Sequence, residues 1–185
     1  LLKYYGGMFI PQSFLCMKSL IGMFKEGTTN DLPFVGEKIN NTLSIGDFVP
    51  GIDIIGAVKN NIHIDNLILS NELLISQDNT STSVIVGKNE NYLHNLVNES
   101  KLNIIDSRYI GVKDVEGIQI NLESLFSRDY IKFDNDLYGI AIPHNELLKR
   151  NKPISYSETD IIPSEYPYAN MAKKNLSDKY PNDIL

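Results

Sequence analysis

One cysteine, Cys16, and no tryptophan occur in the 185 residues of the chain. A lone thiol excludes an intramolecular disulfide framework and a Cys-rich zinc site, and it leaves the redox compartment open. The three histidines, His63, His94 and His144, have neither H-x-x-x-H nor H-x-H spacing, so the sequence predicts no metal centre. Neither G-x-G-x-x-G nor G-x-x-x-x-G-K-[ST] is present, so no dinucleotide fingerprint or Walker loop marks a cofactor, and none is expected. Basic charge is also scarce, at 17 Lys and Arg against 23 Asp and Glu, for a net charge of -6. Phosphate binding is driven by clustered cations that displace counterions, so this balance argues against a chain that coats nucleic acid by charge alone. A small basic cleft stays open.

Long apolar runs are missing as well. The most apolar stretch, residues 7–24, is interrupted by Pro11, Gln12, Ser13, Lys18 and Ser19. It therefore falls short of the roughly 20 uninterrupted apolar residues of a membrane-spanning helix. It also has neither the basic start nor the small-residue cleavage site of a signal peptide, and it reads as a buried or transiently exposed helix. Position 1 is Leu and the first Met is Met8, so the chain reads as a piece of a longer protein.

What is present changes character near residue 60. Before it, Gly and Pro punctuate short apolar segments. Phe14, Leu15, Met17, Leu20, Ile21 and Phe24 recur at helical intervals, predicting a helix over 13–25 capped by Ser13. Further short helices are expected over 34–43 and after Pro50, where Ile52, Ile55 and Val58 recur every three residues. Beyond residue 60 the spacing shortens. Ile62, Ile64, Leu67, Ile68 and Leu69, continued by 73–75, predict extended chain, and 77–83 reads as a polar loop. A β-branched run over 83–86, a helix from Asn89 carrying Tyr92, Leu93, Leu96 and Val97, and a strand over 101–106 make a βαβ crossover. Residues 130–133 and 137–142 flank the Asp134-Asn135-Asp136 turn and predict a β-hairpin. A strand over 118–122, a helical turn over 122–126, helical character over 144–150 and a short helix over 170–176 in the Pro- and Tyr-bearing tail complete the reading. The fold class expected is α/β or α+β. An N-terminal helical segment, 1–60, precedes a domain over 61–185 with a small mixed sheet, a βαβ unit and a β-hairpin.

Two constellations could carry chemistry. At Gly87, Lys88 and Asn89, a strand end meeting a helix N-terminus would aim backbone N–H groups and a cation at an anion or phosphate. Arg128, Asp129 and Lys132, followed by His144, Glu146, Lys149, Arg150, Lys152 and Tyr156, gather a base, cations and hydroxyls around the expected hairpin. His144 with Lys149 or Lys132 suits general acid/base cleavage of a phosphodiester, Tyr156 and Arg128 positioning the phosphate. The opposing reading is a solvated helix end, where Lys149, Arg150 and Lys152 suit the carbonyl terminus. Cys16 offers a third, sharper possibility. A thiol at the start of an apolar helix with a distant His matches the outline of a papain-like cysteine protease, although the usual glycines around the Cys are missing.

Two segments carry a family resemblance. Residues 45–59, IGDFVPGIDIIGAVK, resemble the hydrophobic DF-x-P-G pretoxin segments that precede the variable toxin domain of bacterial polymorphic toxins of the contact-dependent growth inhibition type. Residues 84–106 are similar to a βαβ piece found in the toxin modules of those proteins. Together they cover about 40 of the 185 residues. The resemblance implies a secreted or surface-delivered effector that acts in the cytoplasm of a competitor cell, most often as a nuclease. It also implies a cognate immunity protein, a nucleic-acid substrate, here RNA, and transient membrane contact through residues 7–24 and 45–59. A different class stays open, a non-catalytic binding or structural module of a phage or cell-surface protein, with its Tyr-bearing tail as an interface.

Overall fold

The structure is a computed structural model, and it describes residues 1–38, 49–78, 81–127, 130–142 and 163–177. The fold class is α+β. The chain divides into two compact units, one made of Leu1–Pro11 and Leu20–Ser107, the other of Gln12–Ser19 and Arg108–Leu185. Residue 60, where the composition changes, lies inside the first unit.

The first unit is built on a four-stranded mixed sheet in the order β1-β4-β3-β5. Its strands are β1 (Gly7–Phe9), β3 (Phe34–Glu37), β4 (Pro50–Ala57) and β5 (Asn103–Ile105). Strand β4 pairs antiparallel with both β1 and β3, while β3 and β5 run parallel. The segment after Pro50 is thus the longest strand and no helix. Its three-residue Ile spacing misleads, because Ile52, Ile54 and Ile55 are β-branched residues set between Pro50-Gly51 and Gly56, and such residues favour a pleated surface over a helix. Residues 34–37 are likewise strand where a helix was expected.

Side chains alternate across this sheet. On one face Val35, Ile55 and Ala57 join Ile64, Leu93, Leu96 and Leu102 in a single apolar cluster. Two helices, α3 (Ile62–Ser76) and α4 (Thr82–Asn98), supply the cover. On the other face, Phe34 is fully buried against helix α2 (Ile21–Gly27). A Cβ on Gly56 would lie 2.2 Å from the Phe34 ring and one on Gly27 would lie 2.5 Å from it, so both glycines are required by the ring's position. Phe24 meets the same ring edge-on at 6.3 Å. A four-residue helix, α1 (Leu2–Tyr5), precedes β1.

The second unit pairs β2 (Phe14–Cys16) antiparallel with β6 (Gly139–Ala141). The expected helix over 13–25 therefore begins only at Ile21, and residues 14–16 within it are strand. The expected hairpin within 130–142 is also corrected. Residues 130–133 form no strand, and β6 takes its partner from near the chain's start. Helices α5 (Leu122–Leu125) and α6 (Pro167–Ser177) match the expected helical turn and tail helix. Asn121 starts α5 with a capping box, its Oδ1 accepting from Ser124 N–H while Ser124 Oγ accepts from Asn121 N–H. The core here is Ile120, Leu122, Leu125, Leu137, Ile140 and Ile142, with Tyr168 and Met171 of α6 packed against it. Gly111, at φ 66, sits where a Cβ would come within 2.9 Å of the Ile140 backbone.

Candidate functional site

The anion-binding turn expected at Gly87, Lys88 and Asn89 does not form. All three residues lie in the interior of α4, which begins at Thr82. N–H groups inside a helix are already committed to carbonyls one turn back, so they cannot cradle a phosphate. Among the described residues the element before this helix is α3 and not a strand, and 84–106 is helix then strand where a βαβ unit was expected. The β-branched run Val84-Ile85-Val86 misled, whereas the inward spacing Ile85, Val86, Asn89, Leu93 and Leu96 is helical throughout. Lys88 is exposed, and Asn89 is buried at 7% exposure with its side-chain oxygen lacking a hydrogen-bond donor.

Of the expected catalytic group, His144, Lys149 and Tyr156 lie outside the described residues, as does Arg128. Lys132 is exposed, and its backbone carbonyl accepts from Val115 N–H at 3.2 Å. Cys16 is not at a helix N-terminus, as a papain-like thiol would be. It is the last residue of β2, exposed, with its Sγ donating to the Lys18 carbonyl at 3.1 Å. Asn175 of α6 donates to the Cys16 carbonyl at 2.6 Å, and Lys18 lies 4.3 Å over the Tyr138 ring. Of the other histidines, His63 is in the first turn of α3, and His94 is exposed on α4 with Nδ1 3.4 Å from Asn98 Nδ2. Among the described residues, no group of three His, Cys, Asp or Glu could hold a metal ion. Among the same residues, no helix is long and apolar enough to cross a membrane. The segment 7–24, expected as one helix, is divided among β1, β2 and the start of α2.

The surface feature that stands out is α3, a helix where extended chain was expected. Asn61 starts this helix. Its Oδ1 accepts from His63 N–H at 3.0 Å and Ile64 N–H at 3.3 Å, and its Nδ2 donates to the Asp31 carbonyl at 2.9 Å. The inner face, Ile64 with Leu67 and Ile68, packs on the cluster shared with α4 and the sheet. Tyr92 of α4 ties the two helices together by donating to the His63 carbonyl at 3.2 Å. Burial raises the Tyr92 pKa above its usual value, opposed by a hydrogen bond from Asn66. On the first turn, Lys3 of α1 pairs with Asp65 at 3.5 Å.

Among the described residues, none covers the outer face. Ile62 is 61% exposed, Leu69 59% and Leu73 58%, and Ile75 near the helix end is 53%.

No family model, no curated protein and no solved structure matches this chain.

Helix α3 thus carries aliphatic side chains on both its buried and its open sides. A helix apolar all round is normally enclosed by protein. An exposed Leu or Ile alone is ordinary, whereas Ile62, Leu69 and Leu73 share one side of a single helix. The signal in the sequence was Asn61 as a cap, followed by apolar residues at 64, 67 and 68 in i, i+3, i+4 spacing.

Proposed function

We propose that the protein is a non-catalytic binding module that engages a protein partner through the open face of α3. The observation that carries this reading is the line of Ile62, Leu69 and Leu73, each more than half exposed on a helix whose other side is anchored in the core. The Asn61 cap, the Tyr92 hydrogen bond and the Lys3–Asp65 pair tie the first turn of the helix to the rest of its unit. Preorganisation of that kind lowers the entropic cost of association. The test is a selection of displayed helical peptides on the full chain, with counter-selection on Leu69→Ser/Leu73→Ser. The reading expects peptides that bind the native chain and His144→Ala alike but not the double variant. Enrichment of the same peptides on both native and double variant, or no enrichment, would count against it.

A second reading is supported by the likeness of residues 45–59 to pretoxin segments and by the twelve basic residues of 84–185 out of 17 in the chain. We propose it as a delivered toxin effector that cleaves RNA in a competitor cell through His144, with Lys149 or Lys132 and Tyr156, neutralised by an immunity protein. Production inside bacteria should then inhibit growth, and His144→Ala should abolish the inhibition. Growth unaffected by the native chain would remove this reading and leave the first intact.

A further inference from the structure

The exposed positions of α3 recur in a pattern more specific than general apolarity. Ile62, Asn66, Leu69, Leu73 and Ser76 are all exposed and follow one another at intervals of four, three, four and three residues. That is the spacing of the two seam positions of a coiled coil, here two heptads long, in which each seam residue inserts between side chains of a facing helix. On this register Asn66 takes one seam position but is already hydrogen-bonded to Tyr92 of α4, so the aliphatic contacts of the seam come from Ile62, Leu69 and Leu73. Asp65 and Glu72 fall one residue before Asn66 and Leu73, at the flanking positions whose charges select the partner. Their sign is uniform. No Lys or Arg occurs between Lys59 and Lys88, while Asp65, Glu72 and Asp78 are all acidic.

A second copy of this chain is a poor occupant. In an antiparallel self-pair, Asp65 and Glu72 of one copy would face Glu72 and Asp65 of the other, and like charges at these positions disfavour pairing. A 15-residue helix is also about 22 Å long, and one helix-on-helix contact of that length is at the small end of specific interfaces.

Resting on the binding reading above, we infer that α3 receives a single amphipathic helix of a partner protein, with aliphatic residues at its seam positions and Lys or Arg at its flanks. Helix-on-helix docking supplies the affinity through Ile62, Leu69 and Leu73. The flanking cations of the partner meet Glu72 and the partly neutralised Asp65, setting orientation and excluding acidic helices.

The test uses the full chain and two synthetic helical peptides of about three heptads, with Leu and one Asn at the seam and either Lys or Glu at every flanking position. Binding is read by fluorescence anisotropy, with sedimentation velocity run in parallel. The Lys-flanked peptide should bind at least about tenfold more tightly than the Glu-flanked one, and the difference should shrink as salt is raised. Leu69→Ser/Leu73→Ser should weaken the Lys-flanked peptide at least about tenfold, and Glu72→Lys should narrow or reverse the preference. All three positions are exposed, and unchanged circular dichroism verifies that the variants are folded. Equal binding of the two peptides, binding indifferent to the Leu variants, or a dimer of the native chain lost in those variants would overturn the inference. Uncharged or acidic peptides emerging from the display selection would overturn the charge preference while leaving the binding reading in place.

Discussion

The packing of Phe34 permits a quantitative test of the first unit. Phe34 is paired with Gly56 across the β3/β4 ladder and is fully buried, its ring occupying the space that side chains at positions 56 and 27 would otherwise fill. Phe34→Ala removes a buried ring and should cost about 3–5 kcal/mol. Gly56→Ala places a methyl group 2.2 Å from the ring, and the ring cannot swing away because Gly27 of α2 confines its other side. The strain should cost about 1–3 kcal/mol, as overpacking generally does. With Phe34 already reduced to Ala, the same methyl meets chiefly the Met8 Cβ at 3.0 Å, a much milder contact. The double variant should therefore be less destabilised than the sum of the single ones, by about 1–3 kcal/mol. Urea unfolding followed by far-ultraviolet circular dichroism suits a chain without Trp. If the two units unfold separately, the relevant transition is the one that Phe34→Ala moves. A coupling of about 2 kcal/mol corresponds to a midpoint displacement of roughly 1 M urea. Additivity within about 0.5 kcal/mol would refute the Phe34–Gly56 register and the placement of α2 over it.

Other consequences are as specific. Asn61→Ala should destabilise by about 2–3 kcal/mol, combining loss of the cap with loss of the bond to Asp31, whereas Asn61→Asp should retain the cap and lose only about 1 kcal/mol. Equal urea midpoints for Ala and Asp would contradict this. Asn89→Leu should stabilise by about 1–3 kcal/mol, since it replaces a buried amide whose oxygen has no donor with an apolar side chain beside Leu93 and Leu96, and a lower melting temperature would contradict it. Burial raises the pKa of both Tyr92 and Tyr168, so the folded state favours the neutral phenol. Their contribution should be complete below about pH 10, the ordinary tyrosine value, and be lost as pH rises through the folded values. Alkaline titrations of stability should decline less steeply in Tyr92→Phe and Tyr168→Phe, and identical slopes in native and variant chains would contradict the assignment.

Local pattern revealed α4 in part, α5, α6 and the short strand β5, and failed most where pairing with distant segments decides. The inward face of α4 was legible in Tyr92, Leu93, Leu96 and Val97, as were β5 within 101–106, the turn of α5 and the tail helix α6. Strand β2 was not, because nothing in Phe14-Leu15-Cys16 announces that its partner is Gly139–Ala141, near the other end of the described chain. Residues 50–57 have an Ile spacing compatible with a helix, and only the pairing of β4 with strands on both sides settles them as extended. The reverse error fell on α3, where Ile62 and Ile64 alternate over one turn while Ile64, Leu67 and Ile68 already follow the helical period. That error displaced the candidate site. A strand leading into Gly87-Lys88-Asn89 suggested an anion cradle, whereas continuous helix through those residues closes the cradle and leaves the neighbouring helix face as the feature to explain. Of the group around His144 only Lys132 lies within the described residues, so its chemistry rests on the sequence and on the growth-inhibition test.

The most direct measurement of the central claim is the affinity of the native full chain and of Leu69→Ser/Leu73→Ser for the Lys-flanked helical peptide, taken side by side at low salt. An α3 that works as a docking face predicts saturable binding to the native chain and at least about tenfold weaker binding to the folded double variant. Equal affinities, or no binding to either, would contradict it.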